Sequence, residues 1–329
     1  RKTFHENAAA RTATQINPVE MVSSAFQTTV MGTGGIQSER QVVDETKFVN
    51  PSHLGFLDPV ITPEGSKTGV SLRLPVGVTK SGMTPEIPLF NIKTGKTERV
   101  TPGRFADLRV ALPDQVTWKG GKPHPVGASV KVVAPGGEIV ESKFGEVTHI
   151  IPHQSQLFSL TTNLIPFLGN TSGNRASMAG RHLEQAISLR GREAPLVQVA
   201  TGMKDASFDT FEKVLGQTAA HFSPVAGTVT SVGKDAIHIK GADGKPHEVQ
   251  IYHNYPLNDS KSVLTSTPVV KAGDRVQPHQ VIADTNFSKN GALALGTNLR
   301  VAYLPYKGYN FEDGVVISET AAKKLSSEH

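Results

Sequence analysis

The wide scatter of glycine and proline along the chain is the feature that most constrains its fold. The 329 residues include 31 glycines and 21 prolines, which separate short runs of alternating apolar and polar residues and form no repeat. Glycine and proline interrupt regular structure, and a period of two residues is typical of strands. The pattern therefore predicts many short strands joined by tight turns.

Length and composition set further bounds. A chain of 329 residues is long enough for two or three folded units, and no stretch approaches the roughly 20 apolar residues that span a bilayer. The net charge of +5 permits an anionic partner without requiring one. The absence of cysteine excludes disulfides, thiolate zinc sites and a cysteine nucleophile, and it fits a reducing compartment such as the cytoplasm.

Local patterns place the elements of this architecture. Four helices are predicted: residues 17–31, a helix opening at Ser172 or Asn174, one capped by Asp205 or Ser207 with Phe208 and Phe211 on its apolar face, and residues 318–325. Strands are predicted over residues 128–133, 146–151, 224–229, 236–239 and 248–252, with others near Val263, Val281, Leu299 and Val315.

Glu312 and Asp313 form an adjacent acidic pair between a Gly-Tyr-Asn turn and the apolar run 315–317. Adjacent carboxylates at the entrance of a strand can hold Mg²⁺, directly or through water, because this ion prefers oxygen ligands. Taken alone, however, an acidic pair in a turn is more often a solvated surface feature. The residues by themselves leave both interpretations open.

Arg175 is predicted to lie in the first turn of the helix that follows residue 172, next to Asn174. A guanidinium group binds phosphate through paired hydrogen bonds, and free amides at a helix start add partial positive charge. An arginine in a first helical turn is nevertheless more often structural or solvated. The pattern therefore favours phosphate binding only if other segments support it.

Several common sites are excluded or disfavoured. His149 and His153 flank an Ile-Ile-Pro strand end, so they need not share a face and do not predict a metal site. The sequence contains no G-x-S-x-G elbow, and residues 65–68 lack the upstream glycine of a phosphate-binding P-loop.

Three blocks of the sequence resemble, in order and in spacing, the beta subunit of bacterial-type multisubunit RNA polymerases. The first block comprises Asn17-Pro18, residues 31–36, Ser38-Glu39-Arg40, residues 50–55 and residues 62–65. The second comprises residues 163–168, Asn174-Arg175-Ala176, Met178, Gln185-Ala186, residues 195–197 and residues 201–203. The third comprises residues 273–276, 292–296, Val301-Ala302 and 308–313.

This resemblance implies a mixed, β-rich α+β fold. Residues 1–71 are expected to form a region like the fork loop and the rifamycin pocket, and residues 72–155, where the resemblance is weakest, a small β-rich insertion. Residues 156–329 are expected to form part of the catalytic core, with strands of a sandwich-barrel hybrid and part of a double-psi β-barrel.

The resemblance also implies roles for individual residues. Arg175, with Asn174 beside it, is expected to face the phosphates of the incoming nucleotide. Glu312 and Asp313 are expected to lie near the second magnesium ion and to contact it indirectly. The residues expected to lie near nucleic acid are Gly34, Gly35, Ser38, Glu39, Arg40 and Glu64.

Partners follow from the same resemblance. The principal Mg²⁺ site of the family is a D-x-D-G-D run on a beta-prime-type subunit, and this sequence has no such run. The expected partners are beta-prime-type subunits, the remaining N- and C-terminal parts of the beta subunit, the DNA template, nascent RNA and nucleoside triphosphates. No membrane partner is expected.

The expected origin is a recombinant fragment or, more in keeping with its divergence, part of a naturally split subunit encoded by a bacteriophage. Residues 169–173 replace the acidic, histidine-rich stretch of the family. The expected location is the cytoplasm, that of the host if the gene is viral, with packaging in the virion as a further option.

Two other functions compete with this interpretation. Residues 223–229 and 269–276 resemble the halves of a biotinyl or lipoyl carrier domain, but neither Met-Lys-Met nor Asp-Lys-Ala, the runs that usually carry the modified lysine, occurs in the sequence. The other alternative is a basic nucleic-acid-binding scaffold that makes no catalytic contribution.

Overall fold

The computed structural model describes residues 12–32, 34–63, 65–82, 84–203, 208–258 and 262–327. The described residues form a mixed, strand-rich fold, which confirms the predicted class. The α-helices are α1 (Pro18–Ala25), α2 (Pro102–Phe105), α3 (Leu160–Asn163), α4 (Gly173–Gln185), α5 (Phe211–Ala219) and α6 (Glu319–Lys324).

The described residues separate into two compact units. The first holds residues 22–181 and 201–203, and the second holds residues 13–21, 182–200 and 208–327. The division into residues 1–71, 72–155 and 156–329 stays a prediction. None of the described helices is both long enough and apolar enough to cross a membrane.

The first unit is built on a seven-stranded sheet with the order β10-β9-β6-β11-β4-β3, in which β5 also pairs with β4. All its pairings are antiparallel except β6 with β11. Two smaller antiparallel pairs, β1-β2 and β7-β8, belong to the same unit. The strands are β1 (Gln27–Thr29), β2 (Ser71–Arg73), β3 (Thr79–Ser81), β4 (Thr84–Asn91), β5 (Lys96–Val100), β6 (Val110–Ala111), β7 (Val116–Lys119), β8 (Lys122–Pro125), β9 (Val130–Val133), β10 (Ile139–Ser142) and β11 (His149–Ile150).

Both faces of the large sheet are buried. Successive side chains on a strand point to opposite faces, so Val132 and Val133 belong to different hydrophobic clusters, as do Ile150 and Ile151. One cluster also contains Leu89, which is fully buried. Burial on both sides explains why these strands carry consecutive apolar residues.

The second unit contains a sandwich of two sheets. A four-stranded sheet has the order β15-β14-β13-β19 and a three-stranded sheet has the order β12-β20-β18. Val229 and Ile237 of the first sheet and Ile282 of the second lie in one buried cluster. No sheet among the described residues closes into a barrel. The strands are β12 (His221–Phe222), β13 (Gly227–Val232), β14 (Ala236–Gly241), β15 (Pro246–Gln250), β16 (Tyr255–Pro256), β17 (Val263–Leu264), β18 (Ser266–Pro268), β19 (Arg275–Val276), β20 (Val281–Thr285), β21 (Ser288–Lys289) and β22 (Ala292–Leu293).

Two predicted helices are shorter than their sequence patterns indicated. The first ends at Ala25, because residues 27–29 pair with residues 71–73 as strands. The predicted caps Asp205 and Ser207 lie outside the described residues, and α5 begins only after Thr210, so Phe208 is not part of it. In both cases strand-like pairing outweighs the local helical pattern. Thr210, just before α5, forms a bridge with Ala200 and so is not helical.

The last strands were predicted wrongly, whereas the last helix is confirmed. No strand forms at Leu299 or at Val315–Ile317, where the side chains are exposed. Apolar alternation alone cannot form a strand without a partner for its backbone groups. Helix α6 lies within the predicted range, and the Ser318 side chain caps its start.

Candidate functional site

Helix α4 presents Asn174 and Arg175 to solvent in its first turn. Ala176 and Gly180, one turn apart on the opposite face, are buried. A Cβ atom on Gly180 would lie 2.2 Å from Cδ1 of Ile61, so only glycine permits this close approach. Because 176 and 180 face inward, the helix geometry directs 174, 175 and 178 outward.

The helix is fixed to the chain segment around Thr62. Arg181 donates a hydrogen bond to the Thr62 carbonyl at 3.1 Å, and Ser177 approaches the same oxygen at 3.5 Å. The Arg175 guanidinium lies 4.0 Å from Sδ of Met178. Arg175 is therefore an exposed cation on a well-supported helix, with donors that can bind an anion.

Asp58 supports the segment against which α4 packs. Its buried carboxylate accepts hydrogen bonds from the backbone N–H groups of Val60 and Ser159, both at 2.8 Å, and from the Thr162 hydroxyl. Thr162 lies in α3, and the neighbouring Thr161 lies beside Gly180. The network thus connects a loop to α3 and to α4. Sequence patterns gave no signal for it, since Ser159 and Thr162 lie about a hundred positions away from Asp58.

Glu312 and Asp313 lie in an exposed irregular segment, and not at the start of a strand as predicted. The Asn310 side chain holds the preceding turn: its Oδ1 accepts from the Tyr306 N–H at 2.8 Å, and its Nδ2 donates to the Leu304 carbonyl at 2.6 Å. Glu312 itself has a positive φ of 53°. The turn therefore displays two adjacent carboxylates to solvent.

The acidic pair fits a shared metal site better than a complete one. No cluster of three or more metal-binding side chains occurs among the described residues. Mg²⁺ demands octahedral oxygen coordination and usually retains several water ligands. The two exposed carboxylates offer oxygen atoms of the kind that such an ion binds, directly or through water.

Arg175 belongs to the first compact unit, and Glu312 and Asp313 belong to the second. The two groups of candidate residues therefore lie in different compact units.

The segment before the acidic pair is anchored by Glu193. Its carboxylate accepts two hydrogen bonds from Asn298, one from the backbone and one from the side chain, both at 3.0 Å. Lys324 of α6 lies 3.4 Å from the same carboxylate. The Asn298 hydrogen bonds, followed by Lys324, lower the pKa of Glu193 to about 2.

We expect Glu193 to make folding of the second unit sensitive to acid. A lowered pKa stabilises the fold at pH values above the ordinary carboxyl pKa of 4.5, and this stabilisation is lost as the pH falls towards about 2. Wild type should therefore have a higher melting temperature than Glu193→Gln at neutral pH, and the difference should shrink between pH 4.5 and 2. The exposed Glu45→Gln variant serves as the control; a gap that is constant with pH would contradict the prediction.

Hydrogen bonds close the loop that carries Gly34 and Gly35. The Gly32 N–H donates to the Ile36 carbonyl across it, and the Gln37 side chain donates to the carbonyls of Gly32 and Gly35. Gly34 has a positive φ of 87°, and a Cβ atom on Gly35 would collide with the Val30 carbonyl. Both glycines are thus required by the turn.

The charged residues after this loop are exposed, and one of them is already engaged. Ser38 caps the short 3₁₀ turn that contains Glu39 and Arg40. Glu39 accepts a hydrogen bond from Ser66 and lies 3.4 Å from Nζ of Lys67, and these contacts lower its pKa, with the Ser66 bond as the main cause. Glu64 lies outside the described residues.

Comparison with known proteins gives the family. Residues 222–325 match the family model described as RNA polymerase Rpb2, domain 6, and residues 11–77 match that described as RNA polymerase Rpb2, domain 3. The beta subunit of DNA-directed RNA polymerase from Thermosynechococcus vestitus is 32% identical over 314 residues, which cover 93% of this chain and 27% of the relative. This chain belongs to the RNA polymerase beta-subunit family.

Other beta subunits agree with this assignment. Those of Prochlorococcus marinus and Synechococcus elongatus are each 32% identical over 313 residues, or 93% of this chain and 27% of the relative. The chain therefore spans about a quarter of the length of the curated beta subunits it matches. Residues 223–229 and 269–276, which suggested a carrier domain, lie within the match to Rpb2 domain 6, so beta-subunit membership accounts for them.

Proposed function

We propose that this chain is a portion of a beta-type subunit of a DNA-dependent RNA polymerase and contributes side chains to template-directed nucleotidyl transfer. The observation that carries the proposal is the 93% coverage of the chain by relatives named DNA-directed RNA polymerase subunit beta. The proposed setting is a multisubunit complex, since those relatives are named as subunits.

In the proposed reaction the RNA 3′ hydroxyl attacks the α-phosphate of the incoming nucleotide in line, and pyrophosphate leaves. Arg175, with Asn174 beside it, binds the triphosphate and stabilises the negative charge that develops on the phosphates. Magnesium, when bound, would neutralise charge on the triphosphate and the leaving group. Glu312 and Asp313 would help to hold the nucleotide-bound ion indirectly, with their carboxylate oxygens as hydrogen-bond acceptors.

The proposed partners provide the principal Mg²⁺ site and the other parts of the enzyme. A beta-prime-type subunit holds the principal Mg²⁺, and the remaining parts of the beta subunit complete the enzyme. DNA template, nascent RNA and nucleoside triphosphates bind to the assembly in the cytoplasm. The proposed contacts near nucleic acid are Gly34, Gly35, Ser38, Glu39, Arg40 and Glu64.

Removing the acidic pair should change the dependence of the reaction on Mg²⁺. In the assembled polymerase we expect Glu312→Gln with Asp313→Asn to raise the Mg²⁺ concentration for half-maximal nucleotide addition by about tenfold, since one lost charge-assisted contact is of order 1.5 kcal/mol. Addition rates measured across a Mg²⁺ titration test this. Glu319→Gln removes a nearby exposed carboxylate and should leave the titration unchanged. If the double variant also titrates like wild type, the pair has no role at the metal.

A further inference from the structure

The β7–β8 hairpin of the first unit carries a feature that the proposed catalytic roles do not use. Its cross-strand partners are Val116 with Pro125, Thr117 with His124, Trp118 with Pro123 and Lys119 with Lys122. Gly120 and Gly121 form the tip, with φ values of 56° and 77°. Two successive positive φ angles are those of a type I′ turn, which gives the tight, regular hairpin that Gly-Gly favours.

One face of this hairpin anchors it to the large sheet. Alternation along the strands puts Val116, Trp118 and the prolines opposite them on a common face. Val116 is 6% exposed and lies in a buried cluster. The Trp118 ring meets the Phe90 ring edge to face, with centroids 4.9 Å apart and planes at 88°. The hairpin is therefore held in place by apolar packing, in which the tryptophan contacts the large sheet through Phe90.

The other face carries Thr117, Lys119, Lys122 and His124, all of which are exposed. Lys119 and Lys122 lie directly opposite each other, and like charges in this arrangement destabilise a sheet. No acidic residue occurs between Asp114 and Glu138, and neither lysine forms an ion pair within the described part of the chain.

Two other basic residues of the first unit face acidic residues. Arg104 lies 2.8 Å from Glu98, and Lys131 on β9 lies opposite Glu141 on β10. The paired lysines of the hairpin are thus an uncompensated cationic face that repels itself. A polyanion relieves this repulsion, whereas the fold gains nothing from it.

We propose that the outer face of the β7–β8 hairpin, formed by Thr117, Lys119, Lys122 and His124, binds the phosphate backbone of a nucleic acid strand. Two ammonium groups on flexible stems can contact neighbouring phosphates. The face carries no side-chain amide, carboxylate or guanidinium group to read base edges, so we expect binding that is independent of sequence. In the sequence, the hairpin lies between the segments that match Rpb2 domains 3 and 6.

The test compares two double variants of the full 329-residue chain. Lys119→Ala with Lys122→Ala removes the proposed contacts, while Lys93→Ala with Lys96→Ala removes the same charge from exposed positions at the β4–β5 turn of the seven-stranded sheet, in the same unit. Binding to a fluorescently labelled DNA duplex of mixed sequence is followed by anisotropy at several salt concentrations. The hairpin variant should bind at least about tenfold more weakly, and its plot of log affinity against log salt should be shallower by about 2.

The control variant should lose less than threefold in affinity, and replacing both hairpin lysines by arginine should preserve binding. Melting of the hairpin variant should occur at the wild-type temperature or slightly above it, because a repulsion has been removed. Equal losses in the two double variants, or no loss at the hairpin, would overturn the proposal. The test measures DNA binding by this chain and not nucleotide addition, so failure here is distinguishable from failure of the catalytic proposal.

Discussion

Replacing Arg175 by alanine should slow nucleotide addition in the assembled polymerase by about 100-fold or more. Donors aimed at developing phosphate charge are typically worth a factor of about 10² to 10³ in rate, because they act where the transition state is most negative. Arg175 is exposed on a helix that is fixed by buried contacts, so its loss should leave the fold intact. Single-nucleotide addition rates at saturating substrate, measured by rapid quench, give the effect directly.

Two further variants make this result interpretable. Arg175→Lys keeps the charge but loses the planar pair of donors, and it should recover only part of the rate. Arg275→Ala removes an exposed arginine from β19 and should have little effect. The DNA affinity of Arg175→Ala and its salt dependence should match those of wild type. If DNA binding collapsed instead while the rate per bound complex held, the chain would be a nucleic-acid scaffold without a catalytic arginine.

Replacing Asp58 by alanine should lower the free energy of unfolding of the first unit by about 3 kcal/mol or more. The substitution leaves the Val60 and Ser159 N–H groups and the Thr162 hydroxyl without their acceptor, and each buried unsatisfied donor costs about 1 to 3 kcal/mol. The single tryptophan, Trp118, lies in this unit, so its fluorescence during urea unfolding reports the change.

Asp58→Asn is the matched control for shape. The amide keeps the volume and one acceptor oxygen, so it should lose less stability than alanine does. A loss below 1 kcal/mol for Asp58→Ala would mean that the network is not a principal support of this unit. A large loss would also be expected to disturb Arg175 indirectly, because Asp58 is linked through α3 to the surface on which α4 packs.

The elements that sequence patterns located well are those with strong local signals. The hairpin strands 227–232 and 236–241 lie close to the predicted runs, because their alternation matches one buried and one exposed face. Helix α6 lies within the predicted residues 318–325. The patterns failed at residues 26–31 and 315–317, where the outcome depended on whether a distant strand was available for pairing.

The same distinction applies to the candidate site. Helix α4 and the outward position of Arg175 follow from spacing along one helix, and the order of the three sequence blocks pointed to the beta-subunit family. The Asp58 network and the pairing of Glu193 with Asn298 could not be predicted, since their partners are about a hundred residues apart. The opposed lysines of the hairpin were missed although Gly-Gly between two short strands is a hairpin signal.

The sequence by itself determined the strand-rich class, the family and the candidate residues, because these depend on composition, local periodicity and the order of short motifs. The tertiary structure alone decided that both faces of the large sheet are buried, which carboxylates accept hydrogen bonds from distant donors and which lysines lie opposite each other. Those properties depend on contacts between residues far apart in the chain, and a local pattern carries no information about which distant partner wins.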